Sequence, residues 1–147
     1  VAKVMYDSVD SAAICENAAL VAGYVDGRYA WTDEDWARHP SARAVRIAVF
    51  ADTNDGDVLD CETGDASAYE CPSWITMRQS AGLEVPTIYC NLGTLPAVQA
   101  ACEGLVYDLW LADWTGEPHI PDGAVACQYA AKTTYDVTLC SDNWPRA

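Results

Sequence analysis

The sequence predicts an α/β fold, with strand–helix units in the N-terminal part and successive strands in the C-terminal part. Short apolar runs of about 4–8 residues, rich in Val, Ile, Leu and aromatics, recur along the chain between Gly, Pro, Asp and Asn. Most are near-continuous rather than alternating, as in strands of a parallel sheet covered on both faces. Helical patterns separate some of the early runs, and the late connections are too short to hold a helix.

In order, the runs are Lys3 to Tyr6, Leu20 to Val25, Ala44 to Phe50, Val58 to Cys61, Thr87 to Cys90, Tyr107 to Ala112, Ala124 to Tyr129 and Tyr135 to Leu139, which read as eight strands. Ser11 to Val21 reads as a helix with Ser11 as its N-cap, because apolar residues recur there at helical spacing. Thr32-Asp33-Glu34-Asp35-Trp36 opens a short acidic turn or helix that Pro40 stops. Ala66 to Ala81 reads as a helix closed by Gly82. Thr94-Leu95-Pro96 starts another, with Pro in its first turn and Gly104 as its stop. Only Ala130 to Thr134 joins the last two strands, and Gly116, Pro118, Pro121 and Gly123 make the preceding connection a loop. With no repeat, linker or low-complexity tract, residues 1–147 read as a single domain.

Composition excludes several classes of function. The chain has 22 acidic and 8 basic residues, a formal charge of −14 and a sequence pI of about 4.1. Its apolar fraction of 51% can build a core, which argues against disorder despite the charge. A field this negative repels phosphate backbones and anionic membrane surfaces, so neither nucleic acid nor membrane is an expected partner. No apolar run approaches the length of a membrane span. The chain begins Val1-Ala2-Lys3-Val4, without Met and without a signal-peptide pattern, as after removal of an initiator Met or in a domain of a longer chain. Seven cysteines, an odd number, lack zinc-type spacing, and most sit in apolar runs as small hydrophobes, although one or two disulfides are compatible with the sequence. Cys61 stands between two acids, which raise a thiol pKa and argue against a reactive thiolate.

Acidic groups fall at strand ends. Asp7 follows the first strand, Asp60 and Glu62 close the fourth, Asp113 follows the sixth, and Asp136 lies within the eighth. In an α/β barrel the C-terminal strand ends converge on one mouth and supply the catalytic groups. Asp60 and Glu62 are two residues apart and so face the same side of a strand. Two carboxyls in a partly apolar cleft cannot both ionise easily, so one is kept as a proton donor, the chemistry of glycoside hydrolysis.

Those residues carry a resemblance to the glycoside hydrolase family 25 lysozymes (muramidases), and most of all to the related DUF1906-type domains of actinobacteria and their phages. Met5-Tyr6-Asp7-Ser8 resembles the family's first strand, Leu59-Asp60-Cys61-Glu62 its Asp-x-Glu, and Pro86-Thr87-Ile88-Tyr89 its fifth strand. Leu109 to Trp114 resembles the tryptophan-rich sixth strand, Cys127-Gln128-Tyr129 the Gln-Tyr pair, and Tyr135-Asp136-Val137 the last-strand Asp. The resemblance implies a small irregular TIM-like barrel, about five β/α units followed by three strands. It implies Glu62 as general acid, with Asp60, Asp7 and Asp136 orienting the substrate or stabilising oxocarbenium-like charge. Tyr89, Trp110, Asp113, Gln128 and Tyr129 would line the sugar cleft. The implied substrate is a bacterial cell-wall glycan or another carbohydrate, with no cofactor and no metal, at a secreted, cell-wall or virion location. The chain departs from the family in replacing the usual glycine-led first strand, in having Cys127 for an expected Trp, and in falling short of the roughly 200 or more residues usual for such barrels. These departures keep a second reading open, a non-catalytic glycan-binding or structural module such as a virion component with an assembly partner.

Other features are weaker. Six tryptophans and eight tyrosines against one phenylalanine form a polar-aromatic bias suited to sugar stacking, with Trp31, Trp110 and Trp114 as the candidates. Asp52 to Asp57 departs from the calcium-loop spacing and reads as an acidic turn. Neither His39 nor His119 has a spacing that implies a metal or a triad, and no phosphate-binding glycine loop is present.

Overall fold

The computed structural model describes residues 2–146. Eight strands close into a barrel: β1 (Lys3–Asp7), β2 (Leu20–Tyr24), β3 (Arg43–Ala48), β4 (Val58–Asp60), β5 (Thr87–Asn91), β6 (Asp108–Ala112), β7 (Ala126–Ala131) and β8 (Asp136–Cys140). Neighbours from β1 to β7 run parallel, and β8 closes the barrel antiparallel to both β7 and β1. The order matches the sequence reading, with early strand–helix units and late strands joined directly.

Side-chain alternation sorts each strand into an inner and an outer face. Inside lie Met5, Leu20, Val45, Ile47, Val58, Tyr89, Trp110 and Ala126. Outside, Leu59, Ile88, Cys90, Leu109 and Leu111 pack under α2 (Cys71–Ser80) and α3 (Leu95–Ala101) through Trp74, Ile75 and Val98. Val21 packs instead with Ile14, Ala18 and Trp31 beside α1 (Asp33–Ala37). The floor of the barrel is sealed. Trp144 is buried there with its ring 5.8 Å from that of Trp110, and its Nε1 donates to Thr87 Oγ1 at 3.0 Å.

The helices differ from the expectation in two places. Ser11 to Val21 is not a helix. Only a 3₁₀ turn forms at Ser11–Ala13, capped by Asp10 rather than Ser11, and Leu20 and Val21 belong to β2. Pairing β2 with both neighbours satisfies its backbone along the barrel, and that outweighs a weak local periodicity. The Ala66 to Ala81 segment is split into a 3₁₀ turn at Ala68–Glu70 and then α2, because Pro72 has no N–H to give and is accommodated only in a first turn. The acidic segment behaves as expected. Thr32 and Asp35 form a reciprocal capping box, in which Thr32 Oγ1 accepts from the Asp35 N–H and Asp35 Oδ2 accepts from the Thr32 N–H. The β3–β4 crossover has no helix. Asp26 holds it by accepting from the Val49 N–H at 2.7 Å and the Thr53 hydroxyl at 2.6 Å. Asp55 pairs with Arg46 at 2.6 Å, so the acidic turn is tied to the barrel wall.

All seven cysteines are free thiols, six of them buried. Trp31 is core rather than cleft: its Nε1 donates to the Ser8 carbonyl and its ring lies against Trp36. Gly23 faces that ring, and a Cβ there would overlap Trp31. Gly23→Ala is therefore expected to lower stability by about 1–3 kcal/mol through overpacking. Denaturant unfolding checks this, and an unchanged midpoint would contradict it.

Candidate functional site

Alternation that puts apolar side chains inside the lower barrel puts polar ones inside at its upper rim. Met5 precedes Asp7 by two residues on β1, Val58 precedes Asp60 on β4, and Ala126 precedes Gln128 on β7. Because β8 runs antiparallel, its first residue, Asp136, reaches the same rim, directly opposite Asp7 in the register. A cavity of about 220 Å³ opens there. Asp7, Asp60, Glu62 and Asp136 line it, with Tyr89, Trp110 and Gln128. Tyr24, Ile47 and Trp114 complete the wall. A second groove, of about 370 Å³, shares Tyr24, Asp60 and Glu62 with the first and runs out past Asp26, Tyr29, Phe50 and Asp65. The two form one cleft across the mouth.

Seven of the nine residues singled out by sequence thus line one cavity, and Asp113 and Tyr129 do not. Asp113 Oδ2 lies 2.9 Å from His119 Nε2. His119 Nδ1 faces the Glu117 carbonyl at 2.8 Å, an acceptor only, so the partners of the two ring nitrogens favour the protonated imidazole. Its pKa is accordingly raised, first by the Glu117 carbonyl and then by Asp113. Tyr129 sits at a β-bulge where the register shifts between Gln128 and Ala130. Sequence reasoning missed Tyr24 and Ile47. Both follow the Ala22 and Val45 positions by two residues, which is the only signal that could have pointed to them.

Gln128 organises the site. Trp114 Nε1 can only donate, and it meets one Gln128 amide atom at 2.9 Å, so that atom is the oxygen. The same oxygen accepts from the Tyr89 hydroxyl at 2.9 Å. The Gln128 nitrogen then donates to Asp7 Oδ2 at 3.0 Å. Tyr89 is further held by an edge-on contact with Trp110, with ring centroids 4.7 Å apart.

The acids stand without cations, since no Lys or Arg lines the cavity. Burial pushes the Asp7 carboxyl up to about 7, with Asp136 adding to the shift and the Gln128 hydrogen bond opposing it. Asp60 is also held well above the carboxylate range, by burial first and then by Glu62, with which it shares a hydrogen bond. Such a bond needs one proton between two carboxyls. Asp136 is raised by burial and by Glu62. Cys61, between Asp60 and Glu62 in sequence, faces the outer core instead. Its pKa is lowered, not raised as the neighbouring acids suggested, because a hydrogen bond from the Cys71 thiol outweighs burial, Glu70 and Glu62.

No protein-family model and no curated protein matches the chain. Solved structures do. One is GHIP, a virulence factor and glycosyl hydrolase 25 of Streptococcus pneumoniae participating in host cell invasion. The match has a TM-score of 0.66 at 12% identity, over 95% of this chain and 87% of that one. Another is the catalytic domain of the endolysin ply40 from bacteriophage P40 of Listeria monocytogenes, with a TM-score of 0.65 at 14% identity, over 97% and 95% of the two chains. The barrel is of the kind those structures share.

The raised Asp7 pKa has a definite sign. Below about pH 4 the carboxyl is neutral both folded and unfolded, and its burial costs nothing electrostatically. As pH rises from about 4 to about 7 the unfolded chain ionises first, so stability is lost through that window and the loss is complete above it. Asp7→Asn, which keeps an acceptor for Gln128, is expected to stabilise the protein at pH 8 by up to a few kcal/mol and to change little at pH 4. Denaturant unfolding at the two pH values measures this, and an equal effect at both would rule it out.

Proposed function

We propose that this barrel domain is a glycoside hydrolase acting on the glycan strands of bacterial cell walls, with Glu62 as general acid. The observation that supports this most is the convergence of Asp7, Asp60, Glu62 and Asp136 on one open cavity at the strand C-terminal mouth, with aromatic walls. The two structural neighbours, a glycosyl hydrolase 25 and an endolysin catalytic domain, favour the same class of reaction. Within that fold the sequence motifs resemble the DUF1906-type domains most.

In this reading Glu62, half-buried at the junction of the cavity and the groove and hydrogen-bonded to Asp60, is the group that delivers a proton to the glycosidic oxygen. A water molecule that adds to the anomeric carbon releases a proton in turn, and that proton restores the pair Glu62 forms with the nearly fully buried Asp60. Asp136, and Asp7 in the fraction of molecules in which it is ionised, face the position where positive charge develops on the sugar ring, and their negative potential stabilises it. Tyr89 and Gln128 hold the sugar's polar edge, and the Trp114 ring, 61% exposed, offers a stacking face at the rim.

One observation favours the alternative, a glycan-binding or structural module. The inner cavity, at about 220 Å³, is smaller than most small-molecule pockets, whose volumes start near roughly 300 Å³. Lysis of purified cell walls separates the readings. Glu62→Gln is expected to lower the rate by about 10²-fold or more, the usual worth of a general acid, with an unchanged melting temperature. Equal clearing by both proteins would remove Glu62 from the role. Wall binding with no clearing by either would favour the module.

A further inference from the structure

Trp114 belongs to the cleft wall, yet it stands on a connection, residues 113–125, that has neither helix nor strand. Its indole N–H donates to Gln128 Oε1 at 2.9 Å, and most of the residue is exposed. Two backbone bonds anchor the start of the connection to β7. The Asp113 N–H donates to the Gln128 carbonyl at 3.0 Å and the Gly116 N–H to the Tyr129 carbonyl at 2.8 Å. His119 then folds the segment onto itself. Its Nε2 meets Asp113 Oδ2 at 2.9 Å, and its Nδ1 meets the Glu117 carbonyl at 2.8 Å and Thr115 Oγ1 at 3.3 Å. The ring thus contacts both chain neighbours of Trp114.

We infer that His119 is a positioning residue for the cleft wall: its protonated ring clasps the loop after β6 so that Trp114 is presented to the sugar, and loss of the proton loosens that wall. The chemistry of the partners carries this. A carboxylate and a carbonyl only accept hydrogen bonds, and a neutral imidazole has a single N–H. Without the second proton, one of the two contacts becomes an acceptor facing an acceptor, and the loop must open on that side. The Thr115 hydroxyl does not relieve this, because it donates to the same Glu117 carbonyl at 3.1 Å. Among the described residues, the other titratable group against the ring is Cys127, with Sγ 3.8 Å from Nε2. Burial pushes that thiol up to about 11, so it stays neutral while the imidazole titrates. The His119 pKa is raised from the ordinary value of about 6.5, first by the Glu117 carbonyl and next by Asp113. The clasp is therefore closed below that value and opens as pH rises through the raised one.

The consequence for sugar binding rests on the hydrolase reading, whereas the clasp itself does not. Asp7 also reaches Trp114, through Gln128, and its carboxyl titrates near about 7, so the test first removes it. Protein carrying Asp7→Asn and isotope-labelled tryptophans is titrated by NMR, with Trp114→Phe identifying the Trp114 indole signal. That signal is expected to shift with the midpoint of the His119 ring, and the shift to vanish in His119→Gln. An indole signal indifferent to the His119 titration, or one that still titrates in His119→Gln, would overturn the clasp. Binding of a soluble N-acetylglucosamine tetramer is then compared between the parent and His119→Gln, a ratio that cancels the titration of the cleft acids they share. His119→Gln should weaken binding about threefold to tenfold at about pH 5.5, the worth of one or two hydrogen bonds, and change nothing at about pH 9. Equal weakening at both pH values would overturn the dependence on the proton, and unchanged binding at both would overturn the positioning role. An intact indole titration with no sugar bound by either protein would remove the sugar cleft and leave the clasp standing.

Discussion

Closing eight short strands into one barrel forces every second side chain into a narrow interior, and the rest of the structure depends on that constraint. The interior is filled from below by Met5, Val45, Val58, Trp110 and Trp144. What remains open is one layer at the upper rim. The residues two positions beyond Met5, Val58 and Ala126 on their strands must therefore occupy it, and they are Asp7, Asp60 and Gln128. The site is thus the top layer of the barrel's own core, built from polar residues where a purely structural barrel would continue with apolar ones.

Such a layer is expensive to maintain. Asp7 and Asp60 are nearly fully buried, with no cation to offset them, and both are held toward the neutral form. Gln128 limits the cost. Its single amide satisfies one oxygen of Asp7, the Tyr89 hydroxyl and the Trp114 indole, all of which would otherwise face a poorly solvated cleft. Because Trp114 lies on the loop after β6 and Tyr89 on β5, the same amide also fixes the cleft wall to the barrel. The bonds that hold Asp7 are therefore the ones that position the aromatic wall.

Much of this was legible in the sequence. The eight apolar runs mark the eight strands to within about two residues at each end, the ordinary uncertainty of element boundaries. Asp60 and Glu62, two apart, were readable as a pair because the strand period is two. The Ser11 to Val21 helix was misread because its weak periodicity carries no information about the partners waiting for Leu20 and Val21 in β1 and β3. Asp113 looked equivalent to the other strand-end acids, and nothing local announced that His119 would pair with it from six residues away. Tyr24 was passed over for the converse reason: as a partly buried tyrosine at a strand end it has no distinctive neighbour in sequence, only a place in the layer.

The chain's short length looked like the chief objection to a working site, and the crossovers show where the chain is sparing. The β1–β2 crossover has one 3₁₀ turn, and the β3–β4 crossover has no helix, replaced by a loop that Asp26 and Arg46 pin in place. The reductions fall on the outer layer, whose work is to cover the strands. Where helices are retained, α2 and α3 cover the outer faces of β4, β5 and β6, the strands that supply Asp60, Tyr89 and Trp110. Where they are lost, the groove past Tyr29 and Phe50 lies open beside Glu62. A barrel can be shortened this way without touching its top layer, because that layer is set by strand closure and alternation rather than by the helices outside.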